Sequence, residues 1–528
     1  MAGKPTTGHA LFVLTALADG PRHEYGTVRR EVTELPQGRR VPRPRAVAAA
    51  MAAAGMIVLA GGCGSGAGTS GAGTSGAGTS RPVQSAGPAP SAAAAEASCR
   101  HLTAAACYGP QQFRVAYGIA PLLDRGISGR GQTVMLMEFA KTPQQPGPQQ
   151  SVPDATDIRQ DLALFDTVFG LPSAPLQVDN SLAGSAWPWL ASSEEVEDAE
   201  IVHAVAPDAA IRLILIPRQS SPASTVGAED AVLRLALSQG AVVSIGPAGA
   251  GHCFTSAEVA GLNSALQTAA DHHVTVITST GDLGAASTSC SNDAPLAKEV
   301  GLPASDPLVL AAGGTSLDAD RATGAYISET AWNTPSAGPV TAPGGPSPSG
   351  PAVGTAGPSG PAAAPSPAAP PGAIPEASGG GFSRLFPRPA YQDGVPGIGA
   401  DRGVPDVSAD ADPATGMTLA LTDEPGKDIF FSASGTSAAG PLWAALIALA
   451  NQYAGRPLGF VNPAIYRIGR STYYHQAFHD ITTGNNTVKF PRQTITGYQA
   501  APGWDPVTGW GSPNAQALIP LLARYTSP

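Results

Sequence analysis

The chain has 528 residues, 43% of them hydrophobic and 13% charged, which is long enough to bury a large core. Its formal net charge is -10, and no basic block of useful size lies outside the N-terminus, which argues against nucleic acid as a partner. Five cysteines, none in a Cys-x-x-Cys pair, argue against a zinc site.

Residues 1–40 contain Leu11-Phe12-Val13-Leu14 and then Asp19-Gly20-Pro21-Arg22-His23-Glu24-Tyr25-Gly26. This resembles the first helices of a PadR-type winged-helix regulator, but forty residues cannot complete that domain. The segment reads as a mis-assigned start or a fusion remnant. Arg39, Arg40, Arg43 and Arg45 then precede an apolar run over 46–60. That run is short for a bilayer span and has the proportions of a signal peptide, so 41–63 reads as an export signal. Its end, Leu59-Ala60-Gly61-Gly62-Cys63, resembles a bacterial lipoprotein signal, although Ala60 stands where that pattern prefers leucine. The expectation is a secreted or cell-surface bacterial protein, with a membrane tether through a lipidated Cys63 as one route. Residues 64–98 repeat Gly-Ala-Gly-Thr-Ser and continue in Ala, Pro and Ser, the composition of a flexible tether.

Short apolar runs at 133–139, 211–216, 242–245, 274–279 and 308–312 read as strands buried on both faces. They alternate with helical stretches at 194–205, 228–238, 256–272 and 438–453. That alternation implies an α/β fold with a mostly parallel sheet and right-handed crossovers, whose site gathers at the strands' carboxyl ends. A Pro/Gly/Ala/Ser tract over 334–377 has no apolar periodicity and reads as a disordered insertion within a domain spanning 99–525. Leaving Cys63 aside, four cysteines suit two disulfides in an oxidising compartment. Cys99–Cys107 with Cys253–Cys290 is the most local pairing. Two other connectivities, and four buried thiols, stay open at this point.

Ser437, in Ser434-Gly435-Thr436-Ser437, precedes an apolar helix with Pro441 read in its first turn. A helix N-terminus favours a developing alkoxide, although a plain N-cap serine has the same pattern. A serine nucleophile also needs a base. No His-Gly-Thr-His segment exists, and the first strand ends in Met137-Glu138-Phe139, without the aspartate that a subtilisin places there. On the helix 194–205, Glu194 and Asp198 are four apart and share a stripe with Ile201 and Val205. Two core-facing carboxylates raise one another's pKa, as a general base working at low pH requires. Glu197, Glu200 and His203 fall on other faces of this helix. An acid-rich helix start favoured by the dipole is the bland alternative. Asp282, in Ser279-Thr280-Gly281-Asp282, follows a strand end, where turn aspartates are also common.

These pieces resemble the sedolisins, the serine-carboxyl peptidases, from about Cys107 to Pro513. The similar segments include Cys107-Tyr108-Gly109-Pro110, Glu194-x-x-x-Asp198 with Ala206-Pro207, and Ser279-Thr280-Gly281-Asp282. Further along come Leu302-Pro303-Ala304-Ser305, Gly313-Gly314-Thr315, Glu329-Thr330-Ala331-Trp332-Asn333, Ser378-Gly379-Gly380-Gly381, Gly403-Val404-Pro405-Asp406 and Ser434-Gly435-Thr436-Ser437, in the family's order. The resemblance implies a subtilisin-like three-layer fold, helices covering both faces of the sheet. It implies a serine-type endopeptidase acting on proteins or peptides at acidic pH, as a monomer. Ser437 would be the nucleophile, Glu194 the base, Asp198 its hydrogen-bonded orienting partner, and Asp282 a protonated donor to the oxyanion beside the Ser437 N–H. It also implies one calcium ion held by Asp480 and Asp505 and by the carbonyls of Ile481, Ala501 and Gly503, with Ala501 where the family usually has glycine.

Three features depart from the pattern. Gly246-Pro247-Ala248-Gly249 replaces the family's usual serine, tryptophan and glycine after Ile245. The tether stands where the family has a large prodomain, and the insertion over 334–377 is extra. A catalytically silent surface binding protein on the same fold is the alternative function, and the intact acid and serine set counts against it.

Overall fold

The sheet is laid down by runs of β-branched and aliphatic residues that alternate between two cores. In strand β1 (Thr133–Phe139), Val134 and Leu136 enter the larger core, while Met135 enters the smaller one on the other face. Side chains of successive strand residues point to opposite faces, so a strand that is apolar throughout must be covered twice. The computed structural model describes residues 90–103, 105–142, 155–219, 221–246, 249–287, 290, 296–334, 375–424, 427–490 and 492–526. The segments read as fusion remnant, export signal and lipidated Cys63, most of the tether, Pro247 and Ala248, and insertion residues 335–374 lie outside the described residues.

In chain order the elements that position the site are α1 (Ala92–Thr103), β1, α2 (Ile158–Phe169), β2 (Leu176–Asp179), α3 (Ser193–Val205) and β3 (Ala210–Ile216). Then follow α4 (Pro222–Ala236), β4 (Val242–Ile245), α5 (Ser256–Asp271), β5 (Thr275–Ser279), β6 (Leu310–Ala319), β7 (Tyr326–Ala331) and β8 (Val407–Asp410). A hairpin of β9 (Thr418–Glu424) and β10 (Lys427–Ser432) leads into α6 (Thr436–Ala454), and α7 (Ala515–Tyr525) closes the described chain.

The main sheet has eight strands in the order β7-β6-β5-β4-β1-β3-β2, with β8 also paired to β6. All pairings are parallel except that of β6 with β7. Helices α3 and α6 contribute to the larger core, and α4 and α5 to the smaller core on the opposite face. This is the α/β architecture with a mostly parallel sheet and helices on both faces. Ser192 starts α3 with a capping box, in which the Glu195 carboxylate accepts from the Ser192 N–H at 2.7 Å. Thr255 and Glu258 do the same for α5.

Several boundaries differ from the sequence reading. The stretch read as tether runs into α1, because Ala-rich Ala92–Thr103 has high helix propensity and Ala95 and Cys99 are buried. The last strand of the set begins at Leu310 and runs on to Ala319, since Gly313 and Gly314 are tightly packed rather than loop residues. Pro441 is not in a first turn. Helix α6 begins at Thr436, so Pro441 is interior and removes the N–H that would pair with the Ser437 carbonyl. The disulfides are Cys99–Cys107 and Cys253–Cys290, the local pairing. Among the described residues no helix is long and apolar enough to cross a membrane.

Candidate active site

A cavity of ≈ 340 Å³ opens at the carboxyl ends of β1, β4 and β5, and Ser437, Glu194, Asp198 and Asp282 all line it. Ser437 sits in the first turn of α6. The approach to that turn depends on Gly435, whose φ is +81° and whose imagined Cβ would lie 2.8 Å from Asp282 Oδ2 and 3.1 Å from Ser437 Oγ. Both oxygens therefore face the same small space. Asp282 is fixed through its other oxygen: the Thr436 N–H and hydroxyl each donate to Oδ1 at 2.8 Å. The Gly281 N–H in turn donates to the Thr436 hydroxyl at 2.9 Å. Burial raises the Asp282 pKa, and the Thr436 bonds lower it in part.

Glu194 lies in the first turn of α3, the one carboxyl of the group that the cleft leaves open to solvent. Burial within the surrounding protein raises its pKa, the neighbouring Ser437 hydroxyl opposes that, and the Asp282 and Glu195 charges add to the rise. One turn later, Asp198 is buried at 9% exposure and its pKa is pushed well up, first by burial and then by the Glu194 charge. Asp198 Oδ1 has no hydrogen-bond donor, and the Asp198 carboxyl adjoins Glu138, the acid at the end of β1. Burial, then the Asp198 charge, pushes Glu138 well up, and the shared bond raises Glu138 while lowering Asp198. The two carboxyls titrate as a pair and share a proton at acid pH.

No histidine lines the cavity. His203 is fully buried elsewhere, against Asp166 Oδ1 at 2.9 Å and the Pro172 carbonyl at 2.8 Å. The arrangement supplies an oxygen nucleophile, an adjoining carboxylate and a second carboxyl on the far side of the nucleophile, without an imidazole.

No family model matches the chain. Kumamolisin from Bacillus sp. (strain MN-32) is 33% identical over 433 residues, which is 79% of this chain and 64% of kumamolisin. The chain is similar to the sedolisin-family peptidases. Tripeptidyl-peptidase 1 from Homo sapiens is 34% identical over 165 residues, 28% of this chain and 27% of that protein. The chain thus spans less than two thirds of the length of these relatives. The structure of a Pseudomonas sedolisin, a serine-carboxyl proteinase complexed with two molecules of pseudo-iodotyrostatin, matches with a TM-score of 0.57 at 24% identity. That match covers 79% of this chain and 98% of the other, and it shows the same subtilisin-like α/β fold.

Within this domain the sequence reading missed Glu138 and underrated Glu197 and Glu200. Helix α3 is buried nearly all round, so membership of one stripe does not select its buried acids. Glu197 is 4% exposed and accepts from the Ser434 N–H at 3.2 Å; Glu200 is fully buried and accepts from the Ala420 N–H at 2.9 Å. Both tie α3 to the hairpin and turn that lead to Ser437. Glu138 did carry a signal: it continues the register of Val134 and Leu136, on the face that α3 covers.

The candidate metal loop lies apart from the cleft. Asp505 is 2% exposed, and its oxygens accept from the Ala501, Val507 and Thr508 N–H groups and the Thr508 hydroxyl. Asp480 accepts from the Gly503 N–H at 3.0 Å. Among the described residues neither acid has a Lys or Arg partner within ion-pair distance. The carbonyls of Ile481, Ala501 and Gly503 accept no hydrogen bond there. Two carboxylates without a counter-charge, beside free carbonyls, form a donor set that fits a hard cation.

Proposed function

We propose that the protein is a serine-type endopeptidase that cleaves proteins or peptides at acidic pH, and that Ser437, Glu194, Asp198 and Asp282 perform the reaction. The observation that carries the reading is the convergence of Ser437, Glu194, Asp198 and Asp282 on one cavity, with Asp282 Oδ2 and Ser437 Oγ facing the same small space at Gly435.

In the first step, Glu194 takes the hydroxyl proton as Ser437 Oγ bonds to the peptide carbonyl carbon, and the carbonyl π-electrons move to oxygen. The protonated Asp282 and the Ser437 N–H, which is unpaired at the helix start, donate to that oxyanion. The tetrahedral intermediate collapses, the C–N bond breaks, and Glu194 returns its proton to the leaving amine. Water then enters: Glu194 removes its proton as the water oxygen bonds to the acyl carbon, and when that intermediate collapses the acyl–Oγ bond breaks and the proton goes back to Ser437 Oγ. Asp198 acts as a positioning residue. It lies one turn along α3 from Glu194 and shares a proton with Glu138. A calcium ion at Asp480, Asp505 and the carbonyls of Ile481, Ala501 and Gly503 would supply charge compensation that stiffens the C-terminal loops.

The test is hydrolysis of a denatured protein from about pH 3 to 8. Activity confined to the acid range, with Ser437→Ala lowering kcat by roughly 10⁴-fold or more and Glu194→Gln by roughly 10²- to 10⁴-fold, is the expected outcome. Undiminished turnover by Ser437→Ala would sink the mechanism, and a wild type inert across the range would sink the activity.

A further inference from the structure

The acids of the cleft fall into two sets. Glu138, Glu194, Asp198 and Asp282 adjoin Ser437 and have roles in the reaction proposed above. Glu229 has none. It stands in the middle of α4, next to the apolar Val232 and Leu233 of the smaller core, yet it lines the same ≈ 340 Å³ cavity as Ser437. It is fully buried, and neither carboxyl oxygen has a hydrogen-bond partner. Among the described residues no lysine or arginine pairs with it. Its nearest charge effect is adverse: burial, then the Asp306 carboxylate, pushes it up to about 8.

A carboxyl so placed is a liability to the fold, because it gives up hydration and gains no bond. A leucine would pack better at this position. The cavity explains what the fold does not. Ile216 and Ile245 add apolar lining to the cavity that Glu229 and Ser437 share, and a Cβ on Gly246 would meet no described atom within 4 Å. An apolar passage ending in an acid suits a long aliphatic stem with a cationic tip. The field of the cleft agrees. Its other acids are Glu138, Glu194, Glu195, Asp198 and Asp282, and its single basic lining residue, Lys141, is held by Glu195 at 2.9 Å. A surplus of acids in a concave site concentrates cations.

We propose that Glu229 forms the end of a specificity subsite that receives a lysine or arginine side chain of the peptide substrate. This rests on the peptidase reading above and adds to it the class of side chain that the cleft selects. The incoming cation supplies the counter-charge that α4 and its neighbours lack, and Glu229 releases its proton to solvent as the pair forms.

The experiment compares kcat/KM, with the full chain, for peptides that differ at one position in lysine, norleucine or glutamine, scanned across the residues flanking the scissile bond. At one position lysine is preferred over norleucine by about 10-fold or more. Glu229→Gln brings that ratio to about 1, whereas Asp230→Asn keeps it, since Asp230 is at the surface of α4 and paired with Arg234. Equal rates for lysine and norleucine at every position, a preference for glutamine, or a ratio that survives Glu229→Gln would each overturn the subsite. A second measurement needs neither turnover nor a stable variant. n-Butylammonium is expected to raise the wild-type Tm above the effect of n-butanol at equal concentration, and equal shifts count against the subsite. If no peptide is cleaved, the peptidase reading fails, and the butylammonium arm still decides the site.

Discussion

Asp282 does two jobs with one carboxyl. Oδ1 anchors the start of α6 through Thr436, and Oδ2 is left facing the Ser437 oxygen. A donor to an oxyanion must hold a proton, so the upward shift by burial is what makes the group usable. The sign follows directly. Below its raised pKa Asp282 is neutral and donates; as pH rises through that pKa the proton is lost, the carboxylate repels the oxyanion, and kcat falls. Asp282→Ala is expected to lower kcat by roughly 10²- to 10³-fold with a smaller change in KM. A kcat within twofold of wild type would remove Asp282 from the reaction. Ser437, Glu194, Asp198 and Asp282 were legible because each stands in a short segment whose neighbours also matter. Glu138 was not, because a lone acid closing an apolar strand reads as the strand's exposed end. The neighbourhood of Asp198 and Glu138 was not legible either, since sequence spacing places Glu194 and Asp198 on one side of a helix without saying which third group adjoins them.

At the scale of elements, the site depends on two short turns that hold helix starts. One is Gly435 ahead of α6, and the other is the Ser192 capping box ahead of α3. Strands β1 and β4 and helix α5 were readable to within a residue from apolar runs and caps, because buried parallel strands and capped helices declare themselves locally. The antiparallel β7, the added β8 and the β9–β10 hairpin were not, since their pairing is set by partners far away in sequence. The loops carrying Asp480 and Asp505 lie between these extremes. Asp505 knits its own turn through Val507 and Thr508, so part of the loop holds without help. Asp480 has a single backbone donor from that region, the Gly503 N–H, and a cation bridging the two acids would join the Asp480 segment to the 501–505 loop. Removal of calcium with EDTA is therefore expected to lower Tm by several degrees, about 1–3 kcal/mol of linkage, with recovery on adding calcium but not magnesium. A melting curve indifferent to EDTA and to added calcium would mean that the loop closes on hydrogen bonds alone.

Across the whole molecule the buried acids act in concert on stability. Asp161 and Glu329 are pushed up to about 7 and Glu229 to about 8, in each case chiefly by burial. Glu138, Glu197, Asp198, Glu200 and Asp410 are raised well above their ordinary values for the same first reason. Each such group binds its proton more tightly folded than unfolded. Its contribution is fully present below the unfolded pKa, near 4, and is lost as pH rises through the folded value. Glu229 alone loses on the order of 5 kcal/mol between pH 4.5 and 8. Asp157, Asp179 and Asp208 have lowered pKa values and work in the opposite sense, but they lie near the surface in ion pairs that solvent screens, and their effect falls below about pH 4. His479, pushed down to about 4, also opposes as a single group. The balance places maximal stability near pH 4 to 5, below the range usual for globular proteins. Measured on Ser437→Ala to exclude self-digestion, Tm is expected to fall by about 5 °C or more from pH 5 to pH 8. A Tm that rises over that interval would mean that these carboxyls are ionised inside the fold.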